Sequence, residues 1–511
     1  MLKFSAERAR QFLREKGGNA ALLFGLALVP VIGFIGMATD YGRAMTVRST
    51  LSDAADSAAL AVGSWIGLTD KELEAKAKQF FDANYASSLA KNVNGKFEIS
   101  LVEDNLFVRA TASVPTTFLR LVGIDYVDVG VENAIVKRQR NIELALVLDV
   151  TGSMNSSGKL GAMKTAANKM MDDLFGQKAV SDTLDVAVVP FAAAVNVGTV
   201  HKDADWLDTN AKSTVAKEDF GDGVKPFTFF DQLKTVNSSW GWQGCVRERH
   251  GTAYELTDAT STSSVAESLF APYLAPDEPD SDHDDGDYYG NNYIDDGDCG
   301  EPDEAKRTPE MCQMYTAKYN GPTRTFRGSG PNMYCPPASI TPLNNTKSTV
   351  TNAITALRAN GTTNIPAGLL WGWRALTPGA PFTEGKEHDE DKRLKAIVLL
   401  TDGANYINKA SNHNGTGYGA FGYASKGRLG NKNGSKASNK LNSKTKAVCD
   451  NIKTQGIVIY TIGFRVNNST KKLLKYCASA ADMFFDSPSN AQLETVFGEI
   501  AQGLTELRIV D

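Results

Sequence analysis

Histidine is scarce in this 511-residue chain: His201, His250, His283, His388 and His413 are scattered along it rather than grouped. No HExxH or GxSxG segment occurs, so neither a zinc-protease helix nor a serine-hydrolase elbow is present. Cysteine is sparse too. Cys245, Cys299, Cys312, Cys335, Cys449 and Cys477 form no CxxC pair, which excludes a zinc ribbon or a thioredoxin-like motif. Basic charge is not in excess: 54 Lys and Arg face 59 Asp and Glu for a net charge of −5, which argues against a global nucleic-acid-binding face. With 42% hydrophobic residues the chain can still bury proper cores. Its length suggests roughly two to four domains.

Charge is missing altogether between Gly17 and Thr39. A helix through this run is about 35 Å long at 1.5 Å per residue, enough to cross a hydrocarbon core of about 30 Å. Pro30 and the glycines within it are tolerated in membrane helices. Asp40-Tyr41-Gly42-Arg43 follows the run in place of a small-x-small cleavage site, as expected of a retained anchor rather than a signal peptide. A buried helix of a soluble domain is the competing interpretation. Lys3, Arg8, Arg10, Arg14 and Lys16 precede the run, whereas only Arg43 and Arg48 follow closely. The positive-inside rule therefore predicts a cytoplasmic tail over 1–16, a transmembrane helix over 17–39 and the remainder across the membrane, where cysteines can oxidise.

Residues 40–140 predict a small α+β juxtamembrane module of pilin-like outline. Apolar positions at helical spacing continue the anchor helix to a kink near Gly63–Gly67, and a second amphipathic helix covers about 70–89. Alternating stretches on either side of Glu103-Asp104 predict a hairpin. Residues 114–122 suggest a short helix, and 127–137 another strand.

From 141 to 511 the pattern is α/β. Apolar, β-branched runs at 141–148, 184–189, 395–400, 458–463 and 483–486 alternate with helical stretches at 159–175, 350–357, 367–376, 444–455, 470–478 and 490–507. This predicts a doubly wound, mostly parallel sheet, interrupted by insertions at about 200–340 and 404–443. Ligands of such sheets bind beyond the carboxyl ends of the strands, where Asp149, Thr151, Ser153 and Asp402 fall. Thr363 lies in a second Gly/Asn loop. Two carboxylates and three hydroxyls form an all-oxygen donor set for one hard divalent cation, Mg²⁺ or Mn²⁺, with a position left open for a partner's acidic group. Alternatively, Asp149 and Ser153 simply cap the helix that starts at Lys159.

Asp149-Val-Thr151-Gly-Ser153, Thr363 within Gly361-Thr-Thr-Asn364, and Asp402-Gly403 resemble the metal-ion-dependent adhesion site (MIDAS) of von Willebrand factor A (VWA) domains. Thr151 replaces the family's first serine but keeps the hydroxyl, and Thr362 is an alternative to Thr363. The Gly17-Gly-Asn-Ala start of the anchor, the Asp40-Tyr-Gly-Arg43 exit, Trp242-Gln-Gly-Cys-Val246, Phe270-Ala-Pro-Tyr273 and Asn291-Asn-Tyr-Ile294 are similar to the TadG-like proteins of tight-adherence (Tad/Flp) pilus assembly. That resemblance implies a single-pass bacterial inner-membrane protein with a periplasmic body, whose partners are pilins or pilus-assembly proteins. Smaller relatives are processed after a glycine that has glutamate five residues later. Leu23 stands in that position after Gly18, so this chain is expected to keep its N-terminus.

Residues 277–304 carry 13 acidic and no basic side chains, whereas the stretch between Asp402 and Asp450 carries eight basic and no acidic ones. The acidic segment weakly suggests Ca²⁺, but no register places EF-hand ligands and glycine correctly, and a solvated loop is the better expectation. The basic segment should overhang the metal face and favour an acidic partner, for which the acidic insertion itself is one candidate. Gly417-Tyr-Gly-Ala-Phe-Gly422 matches GxGxxG but lies in a loop, and Gly152…Gly158-Lys159 misses the P-loop spacing, so no nucleotide site is expected. Cys449 is expected to pair with Cys477, and the other four cysteines allow three pairings. No catalytic residue is assigned. The function expected is metal-dependent binding in pilus assembly or anchoring, with an envelope-anchored adhesin as the alternative and a metal-dependent hydrolase as the weaker one.

Overall fold

The computed structural model describes residues 18–63, 70–85, 94–102, 105–136, 141–280, 289–324, 328–388, 393–487 and 489–508. They fall into two compact units, residues 1–139 and 140–510.

In the first unit, helix α1 (Gly18–Gly63) is 46 residues long. It is joined by α2 (Asp70–Asn84) and by an antiparallel sheet of β1 (Asn94–Val102), β2 (Asn105–Pro115) and β3 (Tyr126–Val136) in that order. Alternation along β2 places Val108, Ala110, Ala112 and Val114 on one face, where they share a core with Ala44, Val47, Leu51, Ala55 and Ala58 of α1. Small residues at helical spacing let the helix lie close to the sheet. The first half of α1 differs: Leu22, Leu23, Phe24, Val29, Phe34 and Ile35 are exposed. A long apolar helix that is largely exposed among the described residues fits a single-pass membrane anchor. The kink and the turn of the β1–β2 hairpin fall at 64–69 and 103–104, outside the described residues. The short helix expected over 114–122 is only a 3₁₀ turn, Leu119–Val122, because the strand alternation persists to Pro115.

The second unit is a doubly wound α/β domain. Its elements are β4 (Asn141–Asp149), α3 (Lys159–Phe175), β5 (Leu184–Phe191), β6 (Val195–Asn196), α4 (Pro226–Val236), β7 (Cys245–Val246), β8 (Thr341–Asn344), α5 (Lys347–Ala356), α6 (Ile365–Leu376), β9 (Arg393–Thr401), α7 (Gly434–Thr454), β10 (Val458–Phe464), α8 (Asn468–Cys477), β11 (Phe484–Ser487) and α9 (Asn490–Arg508). The sheet runs β11-β10-β9-β4-β5-β6-β7, with β8 also on β5. The strands from β11 to β5 are parallel, and β6, β7 and β8 pair antiparallel. Both faces are covered, which is why β4 reads as an apolar run from Leu144 to Leu148. Leu144, Leu146 and Leu148 pack with Met163, Met170, Val350, Ile354 and Phe497 of α3, α5 and α9. Ala145 and Val147 face the other way, toward α6. A Cβ at Gly372 of α6 would lie 2.4 Å from Val147 Cγ2, so only glycine allows this helix its approach.

The described residues of the interruption at 200–340 are folded. Phe229 stacks on Tyr319 at 4.2 Å between ring centroids, and Phe227, Trp240 and Trp242 join the same core. Disulfides Cys245–Cys335 and Cys299–Cys312 staple it, and Cys449–Cys477 ties α7 to α8 as expected. No cysteine is free. The acidic segment is not simply a solvated loop. Asp277 and Asp296 are buried, and the Lys318 ammonium lies 2.9 Å from Asp277 and within hydrogen-bond distance of Asp296. Burial works against its charge, but Asp277, with Tyr319 and Asp296, holds the Lys318 pKa above its ordinary value. Where a cation is needed among these acids, the chain supplies its own. This counts against Ca²⁺ at Asp277 and Asp296, since the lysine takes that place.

Candidate metal-binding site at the carboxyl edge of the sheet

Strands β4 and β9 are neighbours, with Leu148 opposite Leu400. Asp149 ends β4, and Asp402 is one residue past the end of β9. Parallel pairing thus brings two carboxylates to the same edge, although 252 residues separate Asp149 from Thr401. After Asp149 the chain makes a 3₁₀ turn, Gly152–Gly158, before α3 begins. Gly152 N–H donates to Gly361 O at 2.9 Å, and Asn360 N–H to Val150 O at 2.7 Å, locking this loop to the one that carries Thr363.

Four of the five expected ligands lie on one chain of contacts. Thr151 N–H donates to Asp149 Oδ1 at 2.8 Å, and Thr151 Oγ1 lies 3.0 Å from Ser153 Oγ. Ser153 Oγ in turn donates to Asp402 Oδ1 at 2.6 Å. Thr363 approaches the same edge: its Oγ1 is 3.7 Å from where a Cβ on Gly403 would stand. Thr363 is 5% exposed, whereas Thr362 lines a neighbouring recess with Tyr406 and Gly417. Asn364 caps α6, accepting from Ala367 N–H. Asn405 accepts from Ile365 N–H at 2.8 Å, so the residues after Asp402 hold the Thr363 loop in place.

Two residues were not anticipated. Thr401 Oγ1 donates to Asp149 Oδ2 at 2.6 Å, and Lys159 Nζ lies 2.7 Å from Asp402 Oδ2. The signal for Thr401 is its place beside Asp402 at the end of an apolar run. Lys159 was visible only as the lysine of a failed P-loop. The capping alternative is not what is seen, for α3 is preceded by Gly158 in a left-handed conformation and no side chain caps it.

Asp149 is fully buried. Desolvation, then the charge of Asp402, push its pKa up to about 6, against the hydrogen bonds from Thr401 and Thr151. The donor set fits a hard divalent cation: the donors are all oxygen, two carboxylates are close enough to repel, and the hydroxyls are fixed. Lys159 offsets only part of that charge, since it contacts a single oxygen of Asp402.

The basic segment packs beside the Thr363 loop. Tyr406 N–H donates to Thr363 O at 2.9 Å, and Phe421, Leu429, Ala437 and Leu441 form a small core. Among the described residues, uncharged side chains of the basic segment meet the acidic insertion. Asn414 donates to Glu278 at 3.3 Å, and His413 lies 2.9 Å from the Tyr289 hydroxyl. The GxGxxG match stays in this loop, with no strand before it and no helix directly after.

Residues 18–64 match the family model described as putative Flp pilus-assembly TadE/G-like. The N-terminal segment is similar to that family. No curated protein matches the chain significantly. Among solved structures, the pilus adhesin SpaC from Lactobacillus rhamnosus GG is similar with a TM-score of 0.33 at 11% identity, over 82% of this chain and 35% of SpaC. The chain thus spans about a third of SpaC's length. The vWF domain of the type V pili tip protein Mfa5 from Porphyromonas gingivalis gives 0.33 at 10% identity, over 73% of this chain and 98% of that domain. Proximal thread matrix protein 1 from the mussel byssus, with a zinc-occupied MIDAS motif, gives 0.29 at 14% identity, over 72% of this chain and 46% of that one. At these scores the likenesses are distant.

Proposed function

We propose that this chain is a membrane-anchored, divalent-cation-dependent binding protein that serves Tad/Flp pilus assembly or anchoring. The observation that carries the metal assignment is the convergence of Asp149, Thr151, Ser153 and Asp402 from loops far apart in sequence into one contact chain at the strand ends. Asp149 and Asp402 would supply charge, and Thr151, Ser153 and Thr363 neutral oxygens. Bound Mg²⁺ or Mn²⁺ would provide an open coordination position for a partner's carboxylate. The TadE/G-like segment supports a pilus-related role, with pilins or assembly proteins as partners. Three disulfides support a body on the oxidising side of the bacterial inner membrane, the tail being cytoplasmic. A binding role rather than catalysis is favoured because Asp149 and Asp402 contact hydroxyls, a backbone amide and a lysine, with no histidine or thiol among those contacts.

The test is Mg²⁺-dependent stability and partner capture. A cation at about 100-fold its Kd should stabilise the wild-type fold by about 2.7 kcal/mol, and Asp149→Ala should lose that gain. Crosslinked cells should yield pilins or secretion components with wild type and far less with the variant at equal protein level. An unchanged Mg²⁺ shift in Asp149→Ala would sink the metal assignment. Equal capture would move the binding surface elsewhere on the chain.

A further inference from the structure

The segment between β2 and β3 exposes apolar residues in a way that a water-facing loop does not. Leu121 is 85% exposed, Val122 71%, Tyr126 61% and Ile124 46%, with Phe118 also at the surface. These residues are not on a loose loop. Asp40 of α1, itself buried, accepts backbone N–H bonds from Thr117 at 3.0 Å, Phe118 at 2.7 Å and Leu119 at 2.8 Å. One turn earlier on the same helix, a Cβ at Gly36 would stand 2.5 Å from Phe118 Cβ and Cγ, so the aromatic side chain packs directly on the helix backbone there. The turn is therefore pinned to α1 at two points, Gly36 and Asp40. Gly36 lies inside the uncharged run that ends at Thr39.

We propose that the Thr117–Tyr126 turn is a membrane-surface contact, with Leu121, Val122 and Ile124 inserted among the lipid acyl chains next to the anchor helix. This rests on the anchor reading of residues 17–39. Gly36 is about 4.5 Å along the axis below Thr39, so a side chain lying against Gly36 sits at or below the headgroup level. At that level the helix also exposes Ile32, Phe34 and Ile35, and the turn extends the same apolar surface outward. Tyr126 is of the aromatic type, with tryptophan, that concentrates at the membrane–water boundary. The only ion pair in the described turn, Arg120 with Asp125 at 3.2 Å, is exposed, so charge stays at the polar rim. Lipid is favoured over a second copy because the patch is continuous with a helix surface that already requires a lipid environment. Such a contact would hold the first unit at a fixed tilt on the bilayer instead of letting it swing on the helix.

The test uses the full chain in phosphatidylcholine–phosphatidylglycerol vesicles. All six native cysteines are in disulfides, so an environment-sensitive fluorophore can be attached to Leu121→Cys, to Val29→Cys in the anchor and to Arg109→Cys on β2. Val29 and Leu121 should both show blue-shifted emission, Val29 quenched by deep nitroxide lipids and Leu121 by shallow ones. Arg109 should be quenched by aqueous iodide several-fold more than either. If iodide reaches Leu121 as it reaches Arg109 while Val29 stays in lipid, the turn faces water and this proposal fails with the anchor intact. If Val29 is also aqueous, the anchor reading and the turn contact fall together. Protection of Leu121 that disappears as chains are diluted among vesicles would assign the patch to a second copy and overturn the lipid contact.

Discussion

Asp277 and Asp296 in the acidic insertion, and Asp149 and Asp402 at the sheet edge, are two pairs of buried carboxylates with different surroundings. The first pair receives an ammonium that is itself fully buried: Lys318 meets both acids and also donates to Cys312 O at 2.8 Å. The second pair has Lys159, 14% exposed, touching Asp402, and hydroxyls and a backbone amide make the other contacts described. An acidic cluster that a lysine enters completely is a structural joint, since no position remains for a ligand. A cluster with hydroxyl neighbours and a lysine at its rim keeps a demand for positive charge. Counting acids along the sequence ranks the two sites in the opposite order, because the insertion is by far the more acidic.

The largest effect should come from breaking the closed pair. Lys318→Met leaves Asp277 and Asp296 buried without a counter-ion, which costs about 3–5 kcal/mol. Thermal melts should show it as a large loss, with proteolysis opening the 200–340 region first, while Mg²⁺ still stabilises what remains folded. A rescue of Lys318→Met by Ca²⁺ would show that the acids accept a metal once the lysine is gone, and would narrow the distinction between the sites to that one side chain.

A smaller loss tests whether the staple next to that pair matters only there. Cys299 and Cys312 are 13 residues apart, and closing a loop of that size contributes about 3 kcal/mol in the chain-entropy account. The double variant Cys299→Ser/Cys312→Ser should therefore be destabilised by that order, since Cys299 N–H bonds to Asp296 O and Cys312 O receives Lys318. Its Mg²⁺ response, measured by calorimetry, should match wild type. A changed response would couple the two carboxylate pairs.

The sheet was legible because its strands are buried on both faces, so β4 and β9 announce themselves as largely apolar runs ending in a polar residue, and β10 as a largely apolar run. The loop positions of Asp149, Thr151, Ser153 and Asp402 follow from those strand ends, whereas Thr363 lies in the loop between α5 and α6. Helix α7 was less legible. It starts at Gly434 rather than Lys444, and its first turns escape a sequence reading because they are mostly Gly, Ser, Asn and Lys, with only Gly434, Ala437 and Leu441 buried along them. Lys159 and Lys318 could not be assigned from sequence: each finds its acids through tertiary packing, Lys159 across 243 residues, and nothing local to a lysine reports a distant carboxylate. The same holds for Asp40, whose backbone partners lie 77 to 79 residues away.

The smallest predicted effect bears most directly on the open pair. If the Lys159 ammonium, 2.7 Å from Asp402, competes with a cation for the same negative charge, removing it should strengthen metal binding. A partly solvated rim charge a few ångströms from the ion is worth about 1 kcal/mol after screening, or roughly fivefold in Kd. Lys159→Met keeps the length and packing of the side chain and removes only the charge, so titration calorimetry with Mg²⁺ should show tighter binding by about that factor. Weaker binding would give Lys159 the opposite role, that of orienting Asp402 for the cation. In that case both carboxylate pairs would depend on a lysine, and they would differ only in how deeply it is buried.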